Sequence, residues 1–178
     1  MSLGTRPTAQ EVKAMLGLEP HPTCGFVAET YRSPLKIPTT ALPEAYDEGD
    51  RPYGSALYFL VSPEAQIVMH RIRSDQLYHH YMGDPLEVLM LYPDGTGAVA
   101  AVGCDLAGGE RPQLFVPGGT FHTSRLAPGD SGYALLASTE WPGVEPPDVE
   151  HGNVEELVAA FPEMDAQIRA FSPVERTL

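Results

Sequence analysis

The sequence predicts an all-β domain, a meander, sandwich or barrel of antiparallel strands with short helices near its ends. Three observations carry this. Runs of five to eight residues rich in apolar and β-branched side chains recur from residue 25 to 138, spaced about ten residues apart. The breaks between them hold turn residues, Pro to fix φ and Gly or Asp to accept positive φ. No segment in this region is long enough to serve as the crossover helix that a parallel sheet requires.

The first element is a helix over residues 8–16. Thr8 is its N-cap and Glu11 completes a capping box, Val12, Met15 and Leu16 share a face, and Gly17 stops it. Strands are then predicted at Gly25–Arg32, Ser55–Val61, Ala65–Ile72, Gln76–Met82, Leu86–Tyr92, Ala98–Gly103, Pro112–Val116, Thr120–Arg125 and Gly132–Ser138. Residues 33–54 are proline-rich and irregular, with acids Glu44, Asp47, Glu48 and Asp50, and read as a covering loop or an edge segment. After a second proline-rich connection, Asn153 caps a helix whose stripe is Val154, Leu157, Val158 and Phe161. Pro162 interrupts it before a last turn of helix to Phe171.

Composition sets bounds on function. The 178 residues fit one domain, 1–178, with its barrel core at about 25–138 and terminal helices at about 8–16 and 153–171. A net charge of −13 argues against nucleic acid or an anionic membrane as partner. It leaves room for an anionic small molecule, because one or two buried arginines reverse a local field, and Arg32, Arg51, Arg71, Arg73, Arg111 and Arg125 lie in the strand-rich part. Cys24 and Cys104 have no metal-type spacing and read as reduced thiols. With no apolar segment after a basic start and no run of about 20 apolar residues, the expectation is a soluble, cytoplasmic protein.

Chemistry concentrates in two motifs. The first runs from His70-Arg71 through Ser74-Asp75-Gln76 to Tyr78-His79-His80-Tyr81 and Gly83. The second is Pro117-Gly118-Gly119-Thr120-Phe121-His122. With Leu16–Pro22, Glu29–Ser33, Ser55–Leu60, Gly83–Leu86, Gly109–Gln113, Val116-Pro117, Pro142-Gly143 and Asp148–Glu150, they make the chain resemble the cupin superfamily. More closely, it is similar to a small cupin family with no established activity near dTDP-4-dehydrorhamnose 3,5-epimerase. The resemblance implies a jelly-roll barrel (a double-stranded β-helix) and a homodimer. The usual first cupin motif has two histidines, a glutamate and a glycine. Aligned on Gly83, the glutamate position is Gln76 and the histidine positions are His70 and Ile72. His122 keeps the histidine of the second motif, where the close family often has Gln.

Strand alternation carries these positions into a site. If Gln76 faces the interior, Tyr78 and His80 do too, while His79 and Tyr81 face out. His70 faces in with Ile72 and Val68, and His122 follows the Pro-Gly-Gly turn into the same mouth. His70, Tyr78, His80 and His122 are thus expected to line one cavity with Gln76 in its wall. His70, His122 and Gln76 are candidate ligands for one divalent metal ion, though no carboxylate joins them. Without metal, His70 or His122 as base and Tyr78 as acid would serve an isomerase, epimerase or dehydratase. Gln76, His80, Arg32 and Arg111 would bind a small, sugar-like or anionic substrate, with Glu29 or Glu110 as competing partners for the arginines. The alternatives are a non-catalytic binding or sensing cupin and a metal-dependent oxygenase. Asp75 and Asp84 read as turn residues, and Trp141 as a core plug.

Overall fold

The structure, a computed structural model, describes residues 6–172. The stretch 1–5, read above for a leader, lies outside them. Helix α1 (Ala9–Leu16) precedes β1 (Glu19–His21), β2 (Gly25–Arg32), β3 (Lys36–Ile37), β4 (Arg51–Pro52), β5 (Ser55–Val61), β6 (Ile67–Ile72) and β7 (Asp75–Gly83). Then come β8 (Leu86–Leu91), β9 (Gly97–Val102), β10 (Gln113–Val116), β11 (Phe121–Leu126), β12 (Ala134–Trp141) and β13 (Val149–His151). Helices α2 (Val154–Ala160) and α3 (Asp165–Phe171) follow. The expected capping box at Thr8 forms, and Gly17 ends α1 in the left-handed conformation. Asn153 caps α2 by accepting from the amides of Glu155 and Glu156.

The strands make two facing sheets. One has six strands in the order β1-β2-β5-β12-β7-β10, the other five in the order β13-β6-β11-β8-β9. Consecutive β6 and β7 lie in opposite sheets, so the first motif spans both walls of the jelly roll. Asp75 joins the motifs by accepting from the Gly118 amide at 2.9 Å. Gly83 ends the first motif at φ 93°, where a Cβ would collide with the Tyr133 carbonyl, so only glycine fits.

Phe59, Val61, Ile67, Tyr78, Val88 and Leu136 belong to the core between the sheets. Outside, α2 and α3 pack Leu157, Ile168 and Phe171 onto Met69, Leu89 and Leu91 of the five-stranded sheet. Helix α1 packs Val12 against Leu60 and Leu135 of the other sheet. Among the described residues no helix is long and apolar enough to cross a membrane.

The structure revises two expectations and gives the segment 33–54 its form. Strand β12 continues to Trp141 instead of ending at Ser138, because it keeps pairing with both β5 and β7. Trp141 is not a core plug: it is 52% exposed and stands against Gly54. The loop 33–54 contains the small β3–β4 ladder and buries Arg51 completely. Arg51 clasps Asp148 through Nε at 2.7 Å and Nη2 at 2.8 Å, and donates from Nη1 to the carbonyls of Glu48 and Gly49. Asp148→Ala leaves that buried guanidinium without its counter-charge. The expected cost is about 3–5 kcal/mol, measured by urea unfolding; a loss within the error of a surface substitution would contradict the clasp.

Candidate functional site

Residues directly opposed in a ladder share a face, so the register aligns the inward side chains in rows. Across the six-stranded sheet the first row is Arg32, Ser55, Glu140 and Gln76. The second is Glu29, Leu57, Ser138 and Tyr78, and the third is Val27, Phe59, Leu136 and His80. On the facing sheet His151, His70 and His122 stand side by side on β13, β6 and β11. Between the sheets is a cavity of about 460 Å³, bounded by the first two rows, by His70 and by the segment Val144–Val149. Exposed His21, Glu29, Arg32 and His151 mark where it meets solvent.

His70 is 3% exposed. Its Nδ1 lies 2.7 Å from the Val68 carbonyl. A carbonyl only accepts, so Nδ1 carries the proton and Nε2 keeps its lone pair. Beside it β6 is irregular: His70 pairs with His122, but Ile67, not Val68, pairs with Ser124. The extra residue puts Ile67 in the cavity wall in place of the expected Val68. Burial, then the neighbouring His122, push the His70 pKa well below the ordinary imidazole value.

His122 repeats the pattern, with Nδ1 donating to the Thr120 carbonyl at 3.1 Å. It is fully buried, its Nε2 has no partner, and its ring centre is 4.3 Å from that of His70. Burial drives its pKa down to about 4. Its ring packs against His70 and stands 6.0 Å from that of Tyr78, and those two residues form the cavity surface in front of it.

On the opposite wall Glu140 is 4% exposed and accepts from Ser55 Oγ at 2.7 Å. Burial raises its pKa above the usual carboxylate value. The Ser138 hydroxyl, buried beside it without a well-formed hydrogen bond, works with Ser55 to hold that rise back. Tyr78 lines the cavity with its ring 5.0 Å from that of Phe59, and burial pushes its phenol pKa well above 10. Cys24, also in the wall, has its thiol pushed up to about 12 by burial, so it is a protonated, poor nucleophile.

The sequence-predicted residues thus divide. His70, Gln76, Tyr78 and Arg32 line the cavity. His80 does face inward, as alternation predicts, but it lies four residues beyond Gln76, about 13 Å along the strand. There its Nε2 donates to the Asp84 carbonyl and its Nδ1 meets the Cys104 thiol. Arg111 is exposed elsewhere and donates to the Glu110 carbonyl. Arg32 is held by Glu29, at 2.9 and 2.7 Å, and by Glu145 at 3.0 Å, so it offers no free cation to an anionic ligand. Asp84 is a turn residue, accepting from the amides of Ser131 and Gly132. Sequence reasoning missed Glu140 and Ser138. The alternation Leu136, Ser138, Glu140 was the available signal, cut short by ending the strand at Ser138.

The metal set expected from the sequence offers two neutral Nε2 lone pairs, on His70 and His122, and the uncharged Gln76 amide on the facing sheet, with no carboxylate among them. Among the described residues no three His, Cys, Asp or Glu side chains are grouped to hold an ion. The interior carboxylate, Glu140, belongs to the other wall and is bonded to Ser55.

Two facing antiparallel sheets with motif residues on both inner walls define a cupin. Residues 10–152 match the profile of the Cupin superfamily (DUF985), and the chain belongs to that family. It is similar to the uncharacterized protein YML079W of Saccharomyces cerevisiae, 28% identical over 132 residues. That match spans 70% of this chain and 65% of the yeast protein's length. Two solved structures are similar across nearly the whole chain. A hypothetical protein from Leishmania major has a TM-score of 0.82 at 28% identity, covering 94% of this chain and 100% of that one. Protein SO0799 from Shewanella oneidensis has a TM-score of 0.80 at 30% identity, covering 96% and 100%.

The two buried imidazoles give the protein a pH signature. Unfolded, both titrate near 6.5; folded, His122 stays neutral down to about 4 and His70 is shifted the same way. Between these values the unfolded chain binds more protons, so stability falls as pH drops from about 6.5 towards 4. His122→Gln removes one titrating group at similar volume and should make that decline shallower in urea unfolding across a pH series. An unchanged slope would contradict the neutral buried imidazole.

Proposed function

We propose that this chain is a small-molecule-binding cupin whose ligand sits between His70 on one wall and Glu140, Gln76 and Tyr78 on the other. One observation supports this above the rest. His70 has its proton locked onto Val68 and lines, with its free Nε2, a cavity whose walls are otherwise rich in apolar side chains such as Leu57, Phe59 and Ile67. A fixed acceptor in an apolar enclosure gives orientation to a ligand whose body supplies the binding energy. The volume, about 460 Å³, suits a small molecule. The test is an NMR titration with benzyl alcohol as a neutral probe. Shifts should map to His70, Phe59 and Tyr78, and His70→Leu should weaken binding about tenfold through the lost hydrogen bond. Shifts mapping to the outer sheet faces would overturn the reading.

A second reading, proton transfer of the isomerase or epimerase type, has its own support. Burial holds the His70 imidazole unprotonated and favours the protonated form of the Glu140 carboxyl on the opposite wall. Environments that push two pKa values apart assign a base and an acid. In this reading His70 takes a proton from the carbon next to a carbonyl and Glu140 returns one from the other side. Tyr78 keeps its proton and only donates a hydrogen bond, because its pKa is too high for an acid near neutrality. Small hydroxyketones incubated in D₂O should then gain deuterium next to the carbonyl. His70→Gln should slow that exchange by about 10²–10⁴-fold. No exchange above the protein-free rate would leave the binding reading alone.

The homodimer is proposed on surface grounds. Tyr31, Tyr53, Tyr81, Phe115 and Trp141 are each more than half exposed. Except for Tyr53, they lie on strands of the six-stranded sheet, whose edges β1 and β10 have no outer neighbour among the described residues. Paired edges and a covered apolar face are what a second copy provides. Light scattering should give twice the mass of one chain, and Phe115→Glu with Tyr31→Glu should return it to a monomer.

A further inference from the structure

We propose that the ligand of the cavity is a small organic cation, an amine on an apolar body, whose ammonium group seats on Glu140 and Ser138. This rests on the reading of the cavity as the ligand site and adds the charge and chemical class of its occupant. Three observations lead there.

The first is the charge of the lining. Its carboxyl groups are Glu29, Glu140 and Glu145, and its one arginine or lysine is Arg32; burial raises the Glu140 pKa, a shift that an ammonium group beside it would reverse, so cation and carboxylate form together. Arg32 donates to Glu29, to Glu145 and to the Val144 carbonyl at 3.2 Å. Its guanidinium is spent on the rim, and the carboxylates outnumber it. The histidines do not restore the balance. His70 and His21 are both held below the ordinary imidazole pKa by burial, and His151 faces the rim, 3.1 Å from the Thr23 hydroxyl. Tyr78 and Cys24 keep their protons and are neutral. An anion would meet a lining with carboxylates and no free positive group.

The second is unmet hydrogen-bonding capacity at one spot. Glu140 accepts a single close bond, from Ser55 at 2.7 Å, whereas a carboxylate has about four acceptor sites. Ser138 lines the same cavity, is 4% exposed, and its hydroxyl has no well-formed hydrogen bond, only a loose interaction with Glu140 itself. The two are neighbours on one face of β12, with Gln76 opposite Glu140 on β7. An ammonium group brings three donors and no acceptor, the complement of this acceptor-rich corner.

The third is what surrounds that corner. Leu57, Phe59, Ile67 and Val27 supply apolar wall, and Tyr78 and Phe59 supply aromatic surface. Aromatic faces attract cations and reject anions. The net charge of −13 acts in the same direction from outside, drawing cations towards the mouth.

Three probes with one ring and different charge test this: benzylamine, benzyl alcohol and benzoate, titrated into the full chain at about pH 7.5, where benzylamine is protonated. Binding is followed by calorimetry and by the NMR signals of His70 and Phe59. Benzylamine should bind at least about tenfold tighter than benzyl alcohol, the worth of a charge-assisted hydrogen bond, with benzoate weakest. Glu140→Gln should bring benzylamine down to the level at which benzyl alcohol binds the same variant. Benzoate binding as tightly as benzylamine would overturn the proposal, and so would an amine preference that survives Glu140→Gln. If the alcohol binds the cavity with no amine preference, only the charge assignment fails. If none of the three moves the cavity signals, the cavity reading fails with it. The wild-type ranking decides the sign of the charge even where Glu140→Gln does not fold. In that case Ser138→Ala, which leaves the carboxylate in place, should weaken the amine more than the alcohol.

Discussion

The rim of the cavity hangs on one buried ion pair, Arg51 with Asp148. Both side chains are essentially sealed from solvent, at 1% and 0% exposure. Removing two charges from water is costly, and what offsets it here is a two-pronged contact with further hydrogen bonds on each partner. Asp148 also accepts from the Glu145 amide at 2.9 Å, which fixes the turn before β13. That turn places Glu145 against Arg32, and β13 then sets His151 beside His70. A contact outside the cavity thereby determines which charges face into it.

The second constraint is the bulge on β6. The extra residue sets the identity of the wall residue below His70, Ile67, while the Val68 carbonyl sets the tautomer of the imidazole. His122 makes the same contact two residues back along its own strand. Two rings packed 4.3 Å apart in one tautomer make a rigid back wall, and burial keeps both uncharged, so the wall carries no positive charge at neutral pH.

Much of the fold could be read from local chemistry. Turns show because Pro, Gly and Asp act on their own backbone, and the caps at Thr8 and Asn153 show because capping spans only a few residues. Strand parity is local too, which is why Gln76, Tyr78 and His80 were all placed facing inward. Depth along the barrel is not local. His80 obeys the parity and still lies beyond the cavity, because where the cavity ends depends on Phe59 and Leu136 from other strands. His122 looked like a site residue, but how deeply its ring is buried is set by His70, Tyr78 and Met90 on other strands. Glu140 went unseen because the strand was ended at Ser138, before the last inward residue. Arg51 could not be singled out, since its partner is 97 residues away.

These misplacements share a physical consequence. In the family resembled, histidines and a glutamate gather on one ion. Here the corresponding positions are His70, Ile72, Gln76 and His122, and the interior carboxylate is Glu140, on β12. His70 and Glu140 therefore occupy facing sheets, whose backbones pack about 10 Å apart. A metal ion draws its ligands to within about 2.0–2.3 Å of one point. Side chains rooted on opposite walls and each tied to its own neighbour, His70 to Val68 and Glu140 to Ser55, are not gathered to that radius. They are placed to hold the two ends of something larger than an ion. A molecule filling the cavity between them can meet an acceptor nitrogen at one end and an acceptor carboxylate at the other, and both are complementary to donors. That asymmetry, acceptors on both walls and no free cation between them, is the strongest physical statement the site makes about its ligand.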